Sequence, residues 1–428
     1  MKLFALIASS VLAVSSVTLE FVQARPMHAD INYERYLEEI DSADADFQSW
    51  KNSKFFDIAT KNNWLPEQSE ERSADDNDED IRQRIFMSRK AAEKAQAANP
   101  NANFSIMTPF SALTDKEFNS KVTNPYVLGN KTSSSTVPKR SLRQEEGGYS
   151  FSSIQDMINS ITQGQQGAIS GDDSAWNFAP TASSPPAATP TTAPPTTTPT
   201  EESATQTSAS TTGTQTGSVD WSDTACMSPI QNQGQCGGCW AFASVAAVES
   251  LQCISNGKKS VNKYSEQQLL GCDSQNQGCG GGAPVYAYEY IQQNGLCGES
   301  AVPYEMANGG TATCGTTCSQ SDPGLSGYEN LEAGDEAGLL KAVQSQPVVV
   351  AVASANDVFK QYTGGVISSC GTTDVDHAVV VVGFDDTSFK IRNSWGEDWG
   401  DAGYIRMARG SSGMGACGLL TDMSYPKM

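Results

Sequence analysis

The chain has 428 residues, which is enough for two or three domains, and a formal net charge of −21. Such an acidic balance argues against nucleic acid as a partner, because phosphate backbones bind cationic surfaces. All eleven cysteines lie from Cys226 onward. An odd number of cysteines confined to one segment is typical of a secreted domain in which disulfides pair most thiols and leave one free.

Residues 1–24 have the layout of a signal peptide. Lys2 precedes a short apolar run, and small residues at Ser16 and Ala24 offer two positions for cleavage. The run is too short to span a bilayer, and no other segment is long and apolar enough to do so. We therefore expect a chain that enters the secretory route without a stable membrane anchor.

Residues 25–125 are charged, free of cysteine and helical in pattern. Strong helix formers fill residues 80–98, and Asn99-Pro100 ends the run, so a helix is predicted over 80–98. Thr114, with Glu117 at the capping-box position, predicts the start of a second, short helix.

Composition changes over residues 126–217, where Thr, Ser and Pro dominate. Such a segment cannot bury enough apolar surface to offset the entropy lost on ordering, which predicts an extended, disordered linker. Lys139-Arg140 is a candidate site for its cleavage. Asn103-Phe104-Ser105 and Asn130-Lys131-Thr132 both match the acceptor sequence for N-linked glycosylation.

Residues 218–428 carry helical patterns first and strand patterns second, which indicates an α+β domain. The predicted helices cover residues 239–252, 265–271 and 283–293. The predicted strands cover residues 347–352, 378–384, 389–393 and 403–407.

Cys239 lies where a loop rich in turn residues becomes an apolar helix. Amide N–H groups at a helix N-terminus favour an anion, so a thiol there should ionise more readily than in free solution. Cys236-x-x-Cys239 could instead be half of a zinc site or a redox pair. The only histidines, His28 and His377, cannot complete a zinc site, and no βαβ pattern is visible. The pattern favours a nucleophile, with no metal or other cofactor.

His377 is the only histidine in the C-terminal half and hence the one candidate base for Cys239. It precedes the predicted strand 378–384, which a turn at Asp386-Thr387 joins to a strand ending at Asn393. With this turn, Asn393 lies within three residues of the position that pairs with His377, which is about 10 Å along the strand. A bulge or curvature must therefore shorten the distance between the two side chains. A Cys–His pair with a third polar side chain is an arrangement for nucleophilic catalysis.

Five motifs, in this order, closely resemble papain-like cysteine peptidases: Gln233-Gly-Gln-Cys-Gly-Gly-Cys-Trp-Ala-Phe, Tyr264-Ser-Glu-Gln-Gln, Gly278-Cys-Gly-Gly-Gly, Asp376-His-Ala-Val and Asn393-Ser-Trp-Gly. The resemblance implies a two-lobed α+β fold for residues 218–428, with a helical left lobe, a β-barrel-like right lobe and a cleft between them. Residues 25–125 resemble, less closely, the mainly helical inhibitory propeptide of that family. Ala112 stands where the family has Asp, and Gly238 where it has Ser or Ala.

The resemblance implies a catalytic role for four residues. Cys239 would be the nucleophile, His377 the acid/base, Asn393 the residue that orients the imidazole, and Gln233 an amide donor to the oxyanion. Two glycines would expose backbone to an extended substrate, Trp395 would shield the His–Asn hydrogen bond, and Asp422 would lie at the floor of an apolar pocket. The implied substrate-binding positions are Gly281, Gly282, Ala283, Pro284, Ala351, Val375, Asp376, Trp395 and Asp422.

The resemblance also implies three disulfides, Cys236–Cys279, Cys272–Cys314 and Cys370–Cys417. The pairing of the remaining four cysteines stays open: Cys226, Cys253, Cys297 and Cys318.

The leading hypothesis is a cysteine endopeptidase made as a zymogen, monomeric, acting on polypeptides and inhibited by its own propeptide. It would work outside the cell or in a lysosome or vacuole. A rival hypothesis is a surface- or wall-attached binding module without catalysis, and a third is an inhibitor only. The complete Cys, His, Asn and Gln set weighs against both rivals, whereas the choice between endo- and exopeptidase action stays open.

Overall fold

The computed structural model describes residues 25–67, 73–123, 217–257, 259–315 and 318–428. The predicted signal peptide lies outside these residues. The predicted linker does too, apart from its last residue, and with it lie Asn130 and Lys139-Arg140. The described residues all belong to one compact unit. None of their helices is both long and apolar enough to cross a bilayer.

Five helices and one strand form the N-terminal part, which we call the prosegment (residues 25–123). They are α1 (Tyr33–Glu38), α2 (Ile40–Lys51), α3 (Lys54–Lys61), α4 (Ala74–Ala98), β1 (Ala102–Phe104) and α5 (Asp115–Lys121).

The two predicted prosegment helices are both present. α4 begins at Ala74 rather than at residue 80, because the Ser73 side chain accepts the Asp76 N–H and caps an earlier turn. Asp75 and Asp76 therefore lie in its first turn, where they complement its dipole. α5 has the predicted capping box, with Thr114 and Glu117 as its two partners.

The C-terminal part contains five further helices: α6 (Cys239–Ser255), α7 (Glu266–Cys272), α8 (Pro284–Asn294), α9 (Glu336–Val343) and α10 (Asp357–Gln361). The first three match the predicted helices to within three residues at each end. The other two were not predicted, because each is short and depends on a side-chain cap. Asp335 caps α9 by accepting the Gly338 N–H, and Asn356 caps α10 by accepting the Phe359 N–H.

The strands form an open sheet in the order β1-β5-β8-β7-β6-β4-β9-β3, with β2 also paired to β6. All pairings are antiparallel except that of β5 with β8. The β lobe expected from the resemblance thus takes the form of an open sheet. The strands after β1 are β2 (Val219–Asp220), β3 (Gly327–Leu331), β4 (Val348–Val352), β5 (Tyr362–Ile367), β6 (His377–Phe384), β7 (Ser388–Arg392), β8 (Tyr404–Ala408) and β9 (Met423–Lys427).

The β6–β7 hairpin contains the irregularity that the catalytic hypothesis required. Phe384 pairs with Phe389, which centres the turn where it was predicted, but the register shifts between Val381 and Gly383. Beyond that bulge Val380 pairs with Arg392, so the following residue, Asn393, is drawn toward the start of β6.

α6 is buried on every side, and all residues from Cys239 to Cys253 are buried. Its apolar side chains share one core with Val349 of β4 and Ala378, Val380 and Val382 of β6. Packing of the helix against the sheet places its N-terminus beside the start of β6.

Five disulfides pair ten of the eleven cysteines and leave Cys239 free. The three pairs that the resemblance implies are all present. The remaining four cysteines form Cys226–Cys253 and Cys297–Cys318. Cys226–Cys253 ties the chain before the catalytic motif to the end of α6, and so restrains the helix that carries the free thiol.

The prosegment and the sheet share a second hydrophobic core, which runs from Phe47 and Trp50 of α2 through Phe110 to Trp395 and Trp399. β1 extends the sheet by pairing with β5.

Asn99, which is fully buried, fastens the prosegment to the loop after β5. Its Oδ1 accepts the N–H groups of Ser368 at 2.8 Å and Ser369 at 3.0 Å, and its Nδ2 donates to the Ser369 carbonyl at 3.0 Å.

Replacing Asn99 by Ala should destabilise the closed protein by roughly 1–3 kcal/mol, because the buried amide loses its three hydrogen bonds to the loop after β5. Chemical denaturation of Asn99→Ala against the parent chain measures this. Asn101→Ala is the matched control, since Asn101 is exposed and its side chain makes no hydrogen bond to the described residues. Equal denaturation midpoints for the two variants would contradict the assignment.

Candidate active site

The His377 and Asn393 side chains form a buried hydrogen bond, with Nε2 and Oδ1 2.7 Å apart. Asn393 Oδ1 also accepts the Ser394 N–H at 2.8 Å, which identifies that atom as the amide oxygen. His377 Nε2 must then carry the proton, so that Nδ1 of the neutral ring is the basic nitrogen. Nδ1 has no hydrogen-bond partner among the described residues.

Trp395 covers this hydrogen bond. Its ring stacks on the imidazole of His377 with centroids 4.9 Å apart and an interplanar angle of 25°, and it is 2% exposed. Exclusion of water lowers the local dielectric and strengthens the bond between His377 and Asn393.

Cys239 is the first residue of α6 and lies beside the start of β6. The backbone N–H groups of Ala378, the residue after His377, of Trp240 and of Cys239 itself act on the sulfur and lower its pKa. The free thiol therefore lies close to the residue that follows His377, at the N-terminus of α6.

The expectation of an easily ionised thiol is wrong for this closed form. Burial raises the pKa of Cys239 to about 11, the donated N–H groups oppose the shift, and the charge of Asp376 adds to it. Burial also lowers the pKa of His377, against the effects of Asn393 and Asp376. With the prosegment in place, the pair is a neutral thiol and a neutral imidazole near pH 7.

Asp376 is held away from the catalytic pair. One carboxylate oxygen accepts the N–H and the hydroxyl of Ser354 at 2.8 and 2.7 Å, and the other accepts the Ala355 N–H at 3.0 Å. The carboxylate is thus occupied by the loop after β4.

The Gln233 side chain is fully buried and faces the prosegment. Its Oε1 accepts the Ser394 hydroxyl at 2.6 Å, while its Nε2 donates to the carbonyls of Cys236 at 3.0 Å and Val122 at 3.4 Å. Ser394 thus holds the Gln233 amide so that its NH2 group is directed at the Val122 carbonyl of the prosegment. Sequence reasoning did not single out Ser394, although it lies inside a quoted motif.

Aromatic side chains of the prosegment seal the site. Phe110 and Phe118 meet the ring of Trp395 edge-on, with centroid distances of 5.5 and 5.6 Å. Val122, which lies at Gln233, is fully buried. The prosegment therefore occupies the space in front of the candidate oxyanion donor and excludes both water and substrate.

The loop Gly281–Ala283 is held by Asn276, whose role the sequence did not reveal. The Ala283 N–H donates to Asn276 Oδ1 at 2.7 Å. A Cβ on Gly282 would lie 2.4 Å from that same oxygen, and Gly281 has a φ of +110°. Both glycines are thus required by the loop itself, whatever their role toward substrate. Pro284 follows as the first residue of α8.

The remaining candidate pocket residues gather around Ala378. Ala351 pairs with Ala378 across β4 and β6, and its N–H donates to the Asp422 carbonyl at 2.9 Å. Ala283 shares a core with Ala378. Val375, two residues before His377, contacts the chain at Gly418, where an added Cβ would lie 3.0 Å from Val375 Cγ1. Asp422 is 7% exposed.

Two departures from the family pattern have local explanations. A Cβ on Gly238 would lie 3.1 Å from Leu270 Cδ2, so Leu270 takes part of the space that a larger residue would need. Ala112 is fully buried, and its carbonyl accepts from Arg84, which also pairs with Glu117. Among the described residues, no group of three or more His, Cys, Asp or Glu side chains could hold a metal ion.

Comparison with known proteins places this arrangement in a family. The pattern described as "Papain family cysteine protease" matches residues 216–427. Over 220 residues the chain is 45% identical to "Cysteine endopeptidase RepA" of Oryza sativa subsp. japonica, covering 49% of this chain and 57% of that protein. The chain belongs to the papain family of cysteine proteases. It spans between half and two thirds of the length of the curated relatives that it matches first.

Solved proenzymes resemble the fold over most of the chain. The structure of digestive procathepsin L 3 from the larval midgut of Tenebrio molitor is 26% identical with a TM-score of 0.57, covering 88% of this chain and all of that one. The proform of the Amb a 11 cysteine protease, a ragweed pollen allergen, is 23% identical with a TM-score of 0.59, covering 92% and 95%. The helical prosegment and the C-terminal domain thus have the fold of papain-like proenzymes.

The raised pKa of Cys239 predicts how the thiol ionises in the closed form, with the prosegment bound. Because the thiolate is scarce until the pH approaches about 11, the ultraviolet absorbance of the Cys239 thiolate should rise about tenfold per pH unit between pH 7 and 10 without a plateau. The difference between the absorbance of the parent chain and that of Cys239→Ser, which has no thiol at this position, isolates this signal without a reagent that must enter the site. A plateau below pH 9 would mean that the closed form already contains a thiolate.

Proposed function

We propose that the chain is the zymogen of a papain-like cysteine endopeptidase that hydrolyses polypeptides. The observation that carries this proposal is the buried His377–Asn393 hydrogen bond, which leaves the basic Nδ1 free beside the only free thiol. A binding module would have no need of an oriented base, a nucleophile at a helix tip and a buried amide donor together. An inhibitor would not need them either.

The residues would act in sequence once the prosegment has left. Water then reaches Cys239 and His377, the effect of burial falls, and the N–H groups at the tip of α6 favour the thiolate. His377 Nδ1 takes the thiol proton, and the sulfur attacks the carbonyl carbon of the peptide bond. His377 then protonates the departing amine, and water, deprotonated by the same nitrogen, hydrolyses the thioester.

Gln233 would stabilise the oxyanion together with the Cys239 N–H. Its Nε2 already donates to a main-chain carbonyl, that of Val122, and Ser394 holds the amide in that orientation. The Val122 carbonyl therefore accepts from the same Gln233 Nε2 group that would bind the oxyanion of a substrate. This contact supports a prosegment that inhibits by filling the cleft.

We propose the following division of the chain: a signal peptide at 1–24, an inhibitory propeptide at 25–125, a linker at 126–217 and a peptidase domain at 218–428. Cleavage in the linker would free the propeptide, with Lys139-Arg140 as a candidate position. The enzyme would act as a monomer, outside the cell or in a lysosome or vacuole, without nucleic acid.

Gln233→Ala should lower kcat/KM of the activated enzyme about 100-fold, because one oxyanion donor is lost. Cys239→Ala should abolish hydrolysis and labelling by an epoxide active-site reagent. Gln231→Ala is the matched control, since its amide donates only to the neighbouring Pro229 carbonyl. Hydrolysis of a fluorogenic peptide measures all three. Full activity in Cys239→Ala would refute the proposed function.

Asp422 would admit a basic residue to the apolar pocket formed with Ala283, Pro284, Ala351 and Val375. The ratio of kcat/KM for Arg-Arg over Phe-Arg fluorogenic substrates should fall about tenfold in Asp422→Ala, because a buried charge partner is removed. Asp422→Asn keeps the volume and should show a similar fall. An unchanged ratio in both variants would refute this role.

A further inference from the structure

Asn103 begins one of the two N-linked acceptor sequences in the chain and lies within β1 of the prosegment. We propose that Asn103 carries an N-linked oligosaccharide in the zymogen, and that this sugar leaves the enzyme together with the prosegment. The inference rests on the secretory route proposed above, and it is independent of peptidase activity.

The Asn103 side chain is accessible and unoccupied. It is exposed, whereas Ala102 before it is buried, and its amide makes no hydrogen bond to the described residues. β1 is the last strand of the described sheet and pairs only with β5, while Ala102 on its other edge is hydrogen-bonded to Asn99 and Gln96 and leaves the Asn103 side chain clear. An oligosaccharide on Asn103 can therefore extend into solvent without breaking a contact.

The strand opposite leaves room at the atom that would bear the sugar. Asn103 pairs with Gly364, and a Cβ at residue 364 would lie 3.7 Å from Asn103 Nδ2. Gly365 differs, because its φ is +76° and an added Cβ would lie 2.4 Å from the Asn101 carbonyl oxygen. Backbone conformation thus requires glycine at 365 and not at 364. Glycine at 364 keeps the space beside Nδ2 open.

The chemistry is a glycosyl transfer from a lipid-pyrophosphate-linked oligosaccharide. Asn103 Nδ2 forms a bond to the anomeric carbon of the sugar, the bond from that carbon to the pyrophosphate oxygen breaks, and the amide loses one proton to solvent. Ser105 supplies the hydroxyl of the acceptor sequence. Its Oγ also accepts the Met107 N–H at 3.0 Å in the folded chain.

The sugar would be confined to the prosegment. Both acceptor sequences precede residue 218, so the peptidase domain would carry no N-linked sugar after activation.

The test uses full-length chain with Cys239→Ala, which keeps the prosegment attached, secreted from a eukaryotic host. N-glycosidase leaves Asp at each asparagine that bore a sugar, and peptide mass mapping then reads residues 103 and 130 separately. We expect Asp at 103, and loss of one oligosaccharide in Asn103→Gln. Ser105→Thr keeps the acceptor sequence and should keep the sugar. Asn130→Gln should not change the state of residue 103.

Unmodified Asn103 in secreted chain would overturn the proposal, whether or not Asn130 is modified. A chain that keeps its first 24 residues and bears no sugar would overturn it as well, because the secretory route would then be wrong. Neither result would bear on peptidase activity, which the Gln233 and Cys239 variants measure. In activated parent enzyme, the sugar should be found on the released prosegment and be absent from the enzyme.

Discussion

The hydrogen bond between His377 and Asn393 is the interaction on which the site depends. It requires a bulge in the β6–β7 hairpin to bring Asn393 within reach, and the Ser394 N–H to hold the amide oxygen toward the ring. Trp395 keeps water away from it. Because Nε2 donates to Asn393, this bond leaves Nδ1 as the basic nitrogen of the imidazole.

Burial acts on this site in two ways. The prosegment fills the cleft and so blocks substrate, and it also removes water from the thiol and the imidazole. Removal of water raises the pKa of Cys239 and lowers the pKa of His377, so the closed form lacks the charged pair that the chemistry needs.

Three kinds of contact bind the prosegment to the β half of the molecule. Phe110 and Phe118 pack on Trp395, β1 pairs with β5, and Asn99 bonds the loop beyond β5. The aromatic contact couples binding to the candidate active site. The loop before α6 binds the prosegment as well, because Gln233 donates to the Val122 carbonyl and Gln235 to the Asn62 carbonyl.

The sequence by itself determined the class of fold, and it led to the proposal of Cys239 as nucleophile, His377 as base and Asn393 as the residue that orients the base. These depend on local signals: a thiol at the start of an apolar helix, a lone histidine before a strand, and motifs with fixed spacing. Ser394, Asn276 and the Val122 contact with Gln233 became visible only in the folded chain, because each acts through a partner distant in sequence. The ionisation state of Cys239 was likewise decided by tertiary structure. Helix position alone favours the thiolate, and the burial of Cys239 in the folded chain outweighs it.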